Sequence, residues 1–460
     1  MLRGRPFSGM SGALHCRNSK TALSKMITNC KMNIKNENER RCVRRQCRQQ
    51  CVIHQLLAVS VEIVYILRMK SRRIAVIACT GGAGHLRAAE ALVLAAKNHP
   101  VPLDVHGFDV LDFTPTWFRR LYAQTYVELV NRTPELWGYF YHRTEQLPYR
   151  KHPLIRAFDR VNYGRYLRML KELNPDAVLC THFLPYISVS STLRKSGWAP
   201  PVIAVTTDFD VHGLWIDPIV RTYCVFHEES AWQLASKGVP TDSIEITGIP
   251  VHPGFSRRAG RAGIRRALRI PTGEFTALVL SGGFGMGRVT DVVRTVVDAL
   301  GQTRLDRTAV IAVCGRNEHA RRSLESLPIP DRVRLVPMGF VDNMHELMAA
   351  ADIVVTKSGG LTSAEALAIG VPLLIVDPIP GQESRNADLI VEHGAGWKAV
   401  NLPNIAYKLH QLISRPNLVR QARIAAADLG RSDAAKRILD MTIRRFLKPL
   451  KKMPRNVPTS

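Results

Sequence analysis

The stretch RRIAVIACTGGAGHLRAAEALVLAA, residues 72–96, has the form of a strand, a glycine-rich turn and a helix. Residues 74–78 are apolar and strand-like, whereas residues 86–96 have the alanine and leucine content of a helix. Glycine at such a turn lets backbone amides approach a phosphate at the start of the helix. His85 lies at the exit of the turn, so this candidate phosphate site also carries a candidate base.

Short β-branched runs alternate with helix-like segments from Met69 onward, which is typical of parallel sheets with crossover helices. A second glycine turn between a strand and a helix lies at residues 281–287, and Gly and Pro interrupt the alternation at residues 247–255. The sequence therefore predicts an α/β protein with two Rossmann-like domains. Because ligands bind beyond the carboxyl ends of parallel strands, we expect the functional residues in strand-exit loops that face one interdomain cleft.

Four segments follow from this pattern. We predict a basic, disordered extension at 1–68, an N-terminal domain at 69–250, a C-terminal domain at 251–447 and a basic tail at 448–460. A natural start at Met69 is the alternative for the extension. Its apolar run, residues 52–67, is short and polar for a membrane span, which needs about 20 apolar residues.

The chain is strongly basic, with 64 Lys and Arg against 38 Asp and Glu and a formal net charge of +26. Such a field attracts nucleic acid, anionic lipid or phosphate-bearing substrates, so charge alone does not choose among them. The four cysteines beyond the extension stand singly in apolar runs, which favours buried thiols. The cysteine spacing in the extension fits no familiar zinc or redox pattern.

Glycine-rich helix starts recur in the C-terminal half. SGGFGMGR (281–288) and TKSGGLTSAEAL (356–367) each offer amides to a phosphate, and together they suit a diphosphate. Glu365 can accept both hydroxyls of a ribose, and the loop DPIPGQESRNA (377–387) offers polar groups to a sugar. The alternatives are tight turns without a ligand, a first-turn carboxylate favoured by the helix dipole, and a solvated loop.

These motifs resemble a known family. SGGFGMG, VCGRN, GFVDNMHELM, TKSGGLTSAEALAIGVPLLI and PGQESRNA, in this order, are similar to the nucleotide-sugar domain of monogalactosyldiacylglycerol synthases and processive diacylglycerol glucosyltransferases. That family is related to the glycosyltransferase that makes lipid II. The N-terminal motifs TGGAGHLRAAEAL, VTTDFDVHGLWI and TGIPVHP agree with it.

The resemblance implies the two-domain GT-B fold, with an N-terminal acceptor and lipid-binding domain and a C-terminal UDP-sugar domain. It places the donor on residues that match the family's motifs. The implied donor site comprises Gly283, Gly285, Met286, Arg316, Asn317, Phe340, Val341, Ser358, Gly359, Gly360, Thr362, Glu365, Gln382, Glu383 and Asn386.

The family's catalytic histidine matches His85, which would take the proton of an acceptor hydroxyl, and Asp208 would assist or orient it. A single attack inverts the anomeric carbon, so a UDP-hexose would give a β-glycoside, with helix amides instead of a metal stabilising UDP. We therefore expect no cofactor and no metal. Gly84, His212 and Trp215 are expected on the acceptor side of the cleft; helix capping by His85, a structural Asp208 and packing by Trp215 are the alternatives.

An aromatic-rich stretch at residues 113–141 holds nine of the chain's 31 aromatic residues. Its rings and cations suit the interface of an anionic bilayer, and ordinary core packing is the alternative. The predicted membrane-contacting residues are Trp117, Phe118, Arg119, Arg120 and Tyr122. We expect a peripheral protein on the cytoplasmic side of the cell membrane, without a spanning helix.

The sequence thus predicts an inverting glycosyltransferase that moves galactose or glucose from its UDP-sugar to diacylglycerol at an anionic phospholipid surface. The alternatives are a transferase that uses UDP-N-acetylglucosamine on another lipid and a UDP-sugar 2-epimerase, which needs no lipid. A nucleic-acid binder is the remote alternative. No RNA-recognition motif is visible in the sequence, and we expect no nucleic-acid partner.

Overall fold

The computed structural model describes residues 72–80, 82–120, 138–139, 145, 153–256, 260–271, 273–280 and 288–447. The predicted extension 1–68 and tail 448–460 lie outside these residues. Two parallel sheets of six strands each form the frame, with helices between successive strands. The predicted α/β class with two Rossmann-like halves is confirmed.

The first half is built on strands in the order β2-β1-β3-β4-β5-β6, and every neighbouring pair is parallel. Its strands β1 to β6 are Arg72–Ala78, Leu103–Asp109, Ala177–Cys180, Val202–Val205, Val220–Val225 and Ile244–Ile246. The central strands are buried throughout because helices cover both faces of a parallel sheet, which explains their runs of Val, Ile and Ala.

The second half repeats this plan in the order β12-β11-β10-β7-β8-β9, again all parallel. Its strands β7 to β12 are Phe275–Leu280, Thr308–Val313, Val333–Met338, Ile353–Thr356, Leu373–Val376 and Gly396–Ala399.

Fourteen α-helices have both ends in the described part of the chain. In chain order α1 to α14 are Ala83–Lys97, Pro153–Leu173, Leu184–Ile187, Ser190–Lys195, Glu228–Ser236, Arg261–Ala267, Val289–Gly301, Glu318–Glu325, Met344–Ala350, Gly360–Ala368, Gln382–Glu392, Leu402–Ser414, Pro416–Leu429 and Ala434–Phe446. Among these, none has the length and apolar character needed to cross a bilayer.

The last helix, α14, packs on the first half although the second half precedes it in sequence. Ile438 and Leu439 are fully buried in one cluster with Ile74 and Val76 of β1. The predicted C-terminal domain, 251–447, includes this helix. An amphipathic pattern shows that a helix has a buried face, but it does not show which sheet that face covers.

The chain therefore passes between the halves twice, and the two passages touch. Gly248 has a φ of +87°, and a Cβ there would lie 2.4 Å from Cβ of Arg431. The hydroxyl of Ser256 donates to the carbonyl of Ser432 at 2.5 Å. Glycine is required at position 248 both for its backbone conformation and for this close approach.

Each sheet reverses its strand order at one point, between β1 and β3 in the first half and between β7 and β10 in the second. Parallel sheets bind ligands at such switch points, beyond the carboxyl ends of the strands. The helices that leave these points, α1 and α10, contact each other, since a Cβ on Gly84 would lie 3.6 Å from Cβ of Leu361. The two switch points thus face a common cleft.

Candidate active site

Three helices begin at this cleft without a side-chain cap. The N-cap residues of α1, α10 and α11 are Gly82, Gly359 and Gly381, and no side chain accepts a hydrogen bond at any of the three positions. The first amides of a helix have no intrahelical partner, and the positive end of the helix dipole favours an anion there. Three such starts at one cleft are suited to binding phosphate groups.

His85 stands in the first turn of α1, with its ring held by the first half. Its Nδ1 lies 3.0 Å from the carbonyl oxygen of Thr181 and 2.8 Å from Oγ1 of Thr207. A carbonyl oxygen only accepts, so the bond to Thr181 assigns the proton of the neutral ring to Nδ1. The lone pair of the neutral imidazole is then on Nε2, as a general base requires.

The pKa of His85 is lowered from its ordinary value, and burial among the facing loops is the largest cause. The charge of Asp208 and the hydrogen bond to Thr181 raise the pKa and only partly offset the burial. The positive end of the α1 dipole also disfavours a protonated ring, but desolvation is the main cause in the structure. The imidazole is therefore neutral near pH 7.

A second histidine, His182, lies beside His85, and the sequence analysis missed it. The two ring centroids are 4.6 Å apart at an interplanar angle of 89°. Nδ1 of His182 accepts from the amide of Leu184 at 3.0 Å, so the neutral ring carries its proton on Nε2. Burial and the neighbouring His85 hold the pKa of His182 well below its ordinary value. Its position at the exit of β3 is the one signal that could have identified it.

Asp208 is buried, and the second half holds both of its carboxylate oxygens. Nε2 of Gln382 donates to Oδ2 at 2.6 Å, and Nδ2 of Asn386 donates to Oδ1 at 3.1 Å. Burial is the main cause that raises the pKa of Asp208, while Gln382, His85 and Asn386 lower it. The described contacts of Asp208 are thus bonds between the halves, and its effect on His85 is through charge.

Gln382 and Asn386, both expected in the donor site, contact Asp208 in this structure. Asn386 is fully buried, and its Oδ1 accepts from the amide of Phe209 at 2.9 Å. Glu383 accepts from the amide of Ile379 at 2.8 Å through Oε2. Ser358 donates to the carbonyl of Glu383 at 2.6 Å, so the loops after β10 and β11 are joined at the cleft.

Gly360 is in close contact with the first half. A Cβ at this position would lie 1.9 Å from the carbonyl oxygen of Thr207 and 2.8 Å from Oδ1 of Asp208. Real Cβ atoms do not approach backbone atoms so closely, so the two halves can meet here only with glycine at position 360. Gly359, the preceding residue, is the N-cap of α10, and Thr362 is partly buried in its first turn.

Glu365 lies one turn further along α10, and burial raises its pKa to about 7. The positive charge of Arg87 on α1 lowers the pKa, in opposition to burial. This carboxyl group therefore changes its charge near neutral pH, which an exposed first-turn carboxylate does not do.

The residues expected beside the nucleotide lie at the exits of β8 and β9. The guanidinium of Arg316 is 6.0 Å from the ring centroid of Phe340, which is 65% exposed. Val341 packs partly buried against the core. Asn317 caps α8 by accepting from the amide of Ala320 at 3.0 Å, so its side chain has a structural role in addition to any ligand contact. Gly283, Gly285 and Met286 lie outside the described residues.

His212 and Trp215, expected on the acceptor side of the cleft, are both buried, and the Trp215 ring lies 6.4 Å from the ring of His182. Nδ1 of His212 accepts from the amide of Leu214 at 3.1 Å and caps the turn Gly213–Trp215. Trp215 packs edge-on against Phe183 at 6.0 Å, and its carbonyl accepts from the hydroxyl of Tyr186 at 2.7 Å. Packing is therefore the role that the structure gives Trp215.

The described start of the aromatic stretch divides between surface and core. Trp117 is 55% exposed, and Arg119 and Arg120 are also exposed. Phe118 instead packs against Tyr163, with ring centroids 5.9 Å apart, and Arg119 pairs with Asp112 at 2.7 Å. Tyr122 lies outside the described residues.

Comparison with known families matches the two halves separately. The family model of monogalactosyldiacylglycerol (MGDG) synthase matches residues 85–251, and that of the glycosyltransferase family 28 C-terminal domain matches residues 276–438. The processive diacylglycerol beta-glucosyltransferase of Bacillus subtilis (strain 168) is 27% identical over 287 residues, which cover 62% of this chain and 73% of the relative. The protein of the same name from Bacillus mycoides (strain KBAB4) is 27% identical over 373 residues, covering 81% and 93%.

Solved structures with a similar fold include MurG of Acinetobacter baumannii, with a TM-score of 0.55 and 16% identity over 81% of this chain and 99% of that one. MnaA of S. aureus, solved with UDP, has a TM-score of 0.54 and 15% identity over 83% and 99%. At these identities the likeness concerns the fold alone, and it confirms the GT-B architecture.

Proposed function

Because this chain belongs to the glycosyltransferase family of monogalactosyldiacylglycerol synthases and processive diacylglycerol glucosyltransferases, we propose that it moves a hexose from a UDP-sugar to diacylglycerol, forming a glycosyl-diacylglycerol. The observation that carries the chemistry is the pair of contacts at Nδ1 of His85, from which the tautomer of the ring follows. Thr181 and Thr207 hold Nδ1, so Nε2 is the basic atom at the point where both halves meet.

The transfer is a single displacement. The hydroxyl oxygen of diacylglycerol attacks the anomeric carbon of the sugar, and the bond from that carbon to the UDP oxygen breaks. The hydroxyl proton passes to Nε2 of His85, and UDP leaves with the electron pair. One attack from the opposite face inverts the anomeric carbon, so an α-linked donor gives a β-glycoside.

The leaving diphosphate is stabilised by the start of α10, where Gly359 and Gly360 supply amides and Thr362 supplies a hydroxyl. Ser358 adds its hydroxyl only if it gives up its bond to the carbonyl of Glu383. Fixed donors aimed at developing charge need no reorganisation during the reaction. Glu365 binds the ribose, and Phe340 lies beside the uracil with Arg316 and Val341. Glu383 and Gln382 contact the sugar, which requires Gln382 to share or exchange its bond to Asp208. No metal is needed in this scheme.

Trp117 and Arg120 bring the enzyme to the bilayer surface from which diacylglycerol is taken. Extraction of the lipid is unfavourable, because each exposed CH₂ costs about 0.8 kcal/mol. An exposed aromatic ring beside cations is suited to an anionic interface, so the enzyme binds as a peripheral protein on the cytoplasmic face. Galactose and glucose are the two candidate sugars.

The test is incubation with UDP-galactose, UDP-glucose or UDP-N-acetylglucosamine over diacylglycerol vesicles, followed by separation of the lipid products. We expect a hexosyl-diacylglycerol from one of the first two donors. A chain that binds UDP by calorimetry but makes no glycolipid from any donor contradicts the proposal. Conversion of the free UDP-sugar to its 2-epimer without lipid identifies an epimerase instead.

A further inference from the structure

One face of α11 contacts the loop that follows β4. Gln382, Arg385 and Asn386 are spaced i, i+3 and i+4, so their side chains lie on the same side of the helix. Gln382 and Asn386 bind Asp208, as described above. Arg385 has no role in the proposed reaction, and the sequence analysis did not single it out.

Arg385 binds two carboxylates of the first half. Its Nη1 donates to Oδ2 of Asp210, a side chain that is only 7% exposed. Nη1 and Nη2 also donate to Oε1 and Oε2 of Glu145, at 2.8 and 2.5 Å. The planar guanidinium thus makes a two-pronged contact with Glu145 and adds a third bond to Asp210, a geometry that the single ammonium of lysine does not reproduce.

Glu145 is itself fixed to the acceptor side of the cleft. A Cβ on Gly213 would lie 2.3 Å from the carbonyl oxygen of Glu145, so its backbone lies directly on the turn capped by His212. Lys237 lies 3.4 Å from Oε1 of Glu145 and donates to the carbonyl of Val211 at 3.0 Å. The hydrogen bond from Arg385 is the main cause that lowers the pKa of Glu145 to about 2, so the Glu145 carboxylate is ionised throughout the neutral range.

The network joins residues from three parts of the sequence. Arg385 belongs to α11 of the second half, Asp210 to the loop that bears Asp208, and Glu145 to the chain beyond the aromatic stretch 113–141. A neighbouring contact joins the same two parts of the molecule. A Cβ on Gly138 would lie 3.1 Å from Cβ of Pro380, just before α11. A buried carboxylate such as Asp210 needs a partner, because an unpaired buried charge is strongly destabilising.

We propose that Arg385 is a positioning residue for sugar transfer: by binding Asp210 and Glu145 together, it sets the acceptor side of the cleft in register with the donor-side helix α11. The inference rests on the proposed transfer reaction. Arg385 acts through these carboxylates and touches neither substrate. Substitution of Arg385 therefore lowers turnover and kcat/KM for diacylglycerol, whereas the affinity for UDP stays the same.

The test compares wild type with Arg385→Gln and Arg385→Lys. We expect Arg385→Gln to lower kcat/KM for diacylglycerol by about ten- to a hundredfold, because a small misplacement of the reacting groups reduces the rate by about this factor. Arg385→Lys should regain part of the loss, since lysine can bind one carboxylate at a time. Glu145→Gln removes one carboxylate and should reproduce most of the effect if Arg385→Gln does not fold. Arg437→Gln, which removes an exposed pair with Asp433 on α14, is the matched control and should match wild type.

Two readouts separate this inference from the proposed function. UDP binding by calorimetry should be equal in wild type and Arg385→Gln, and a parallel loss of UDP affinity would assign Arg385 to the donor site and overturn the inference. Hydrogen exchange should become faster at the amides of residues 209–213 in Arg385→Gln, whether or not the wild type transfers sugar. Unchanged exchange or unchanged kcat/KM in that variant also overturns the inference, whereas a wild type that makes no glycolipid contradicts only the transfer reaction.

Discussion

Gly360 at the start of α10 faces the carbonyl oxygen of Thr207 so closely that a Cβ would lie 1.9 Å from that oxygen. The contact joins the loop that holds His85 to the helix proposed to bind the diphosphate. It fixes the separation of the two halves at this point.

Gly360→Ala should therefore force the two halves apart at this contact. Overpacking of this kind costs about 1–3 kcal/mol, which corresponds to about a five- to 150-fold lower kcat/KM. Steady-state kinetics measure the effect, and Gly164→Ala in α2 is the control, because a Cβ there meets nothing within 4 Å. Wild-type activity in Gly360→Ala would mean that turnover does not need this contact between the halves.

His85→Ala should remove the general base. We expect kcat to fall by about 10²–10⁴-fold, with UDP affinity unchanged in calorimetry, because His85 is held by the first half alone. His182→Ala leaves Nε2 of His85 in place and should have a smaller effect on kcat. Full turnover in His85→Ala would exclude the proposed base.

The pH dependence of kcat/KM follows from the pKa of His85. The base acts in its neutral form, and burial lowers the pKa, so activity should be retained as the pH falls until it passes below the ordinary histidine value. The charge of Asp208 raises this pKa, so Asp208→Asn should move the acid limb to still lower pH. An acid limb that moves upward in Asp208→Asn contradicts the assignment.

Glu365 should make the binding of uridine depend on pH. Its pKa is raised to about 7, so the carboxyl is protonated below that pH and ionised above it. Only the ionised form accepts hydrogen bonds from both ribose hydroxyls, so uridine affinity should rise as the pH increases through 7. Calorimetry with uridine avoids the titration of the phosphates. The pH dependence should vanish in Glu365→Gln, and its persistence there would assign the titration to another group.

Arg120 should contribute to membrane binding. A cation near an anionic surface is worth about 1 kcal/mol, so Arg120→Gln should weaken binding to anionic vesicles by about fivefold and leave binding to neutral vesicles unchanged. Vesicle sedimentation measures both. Arg294→Gln, an exposed arginine of α7 in the second half, is the matched control. Equal binding of wild type to neutral and anionic vesicles contradicts the electrostatic part of the proposal.

The sequence predicts the two parallel-sheet halves because their signals are local. Strand, glycine turn and helix follow one another within 25 residues at His85 and again around Gly360. The conformation of each unit is set by residues that are close in sequence. The side chains around them are also local: Ser358, Gly359 and Gly360 are neighbours in sequence and in space.

The long-range parts of the site could not be read from spacing. Asp208 is bound by Gln382, which is 174 positions away, and Arg385 reaches Glu145 across 240 positions. His182 stands alone at a strand exit, without the glycine motif that identifies His85. The resemblance places Trp215 in the cleft and packing is the alternative, and only the three-dimensional contacts of the indole ring decide between them.

The two passages of chain that meet at Gly248 and Arg431 make the second half an insertion between α14 and the rest of the first half. After a single cut near Arg431, the two halves stay joined covalently through the chain at Gly248. After a cut near Gly248, they stay joined through the packing of α14 on the first sheet. If residues 251–447 were expressed alone, α14 would lose its contact with the first sheet and expose its apolar side to water. A stable second half produced on its own should therefore end before Ala434.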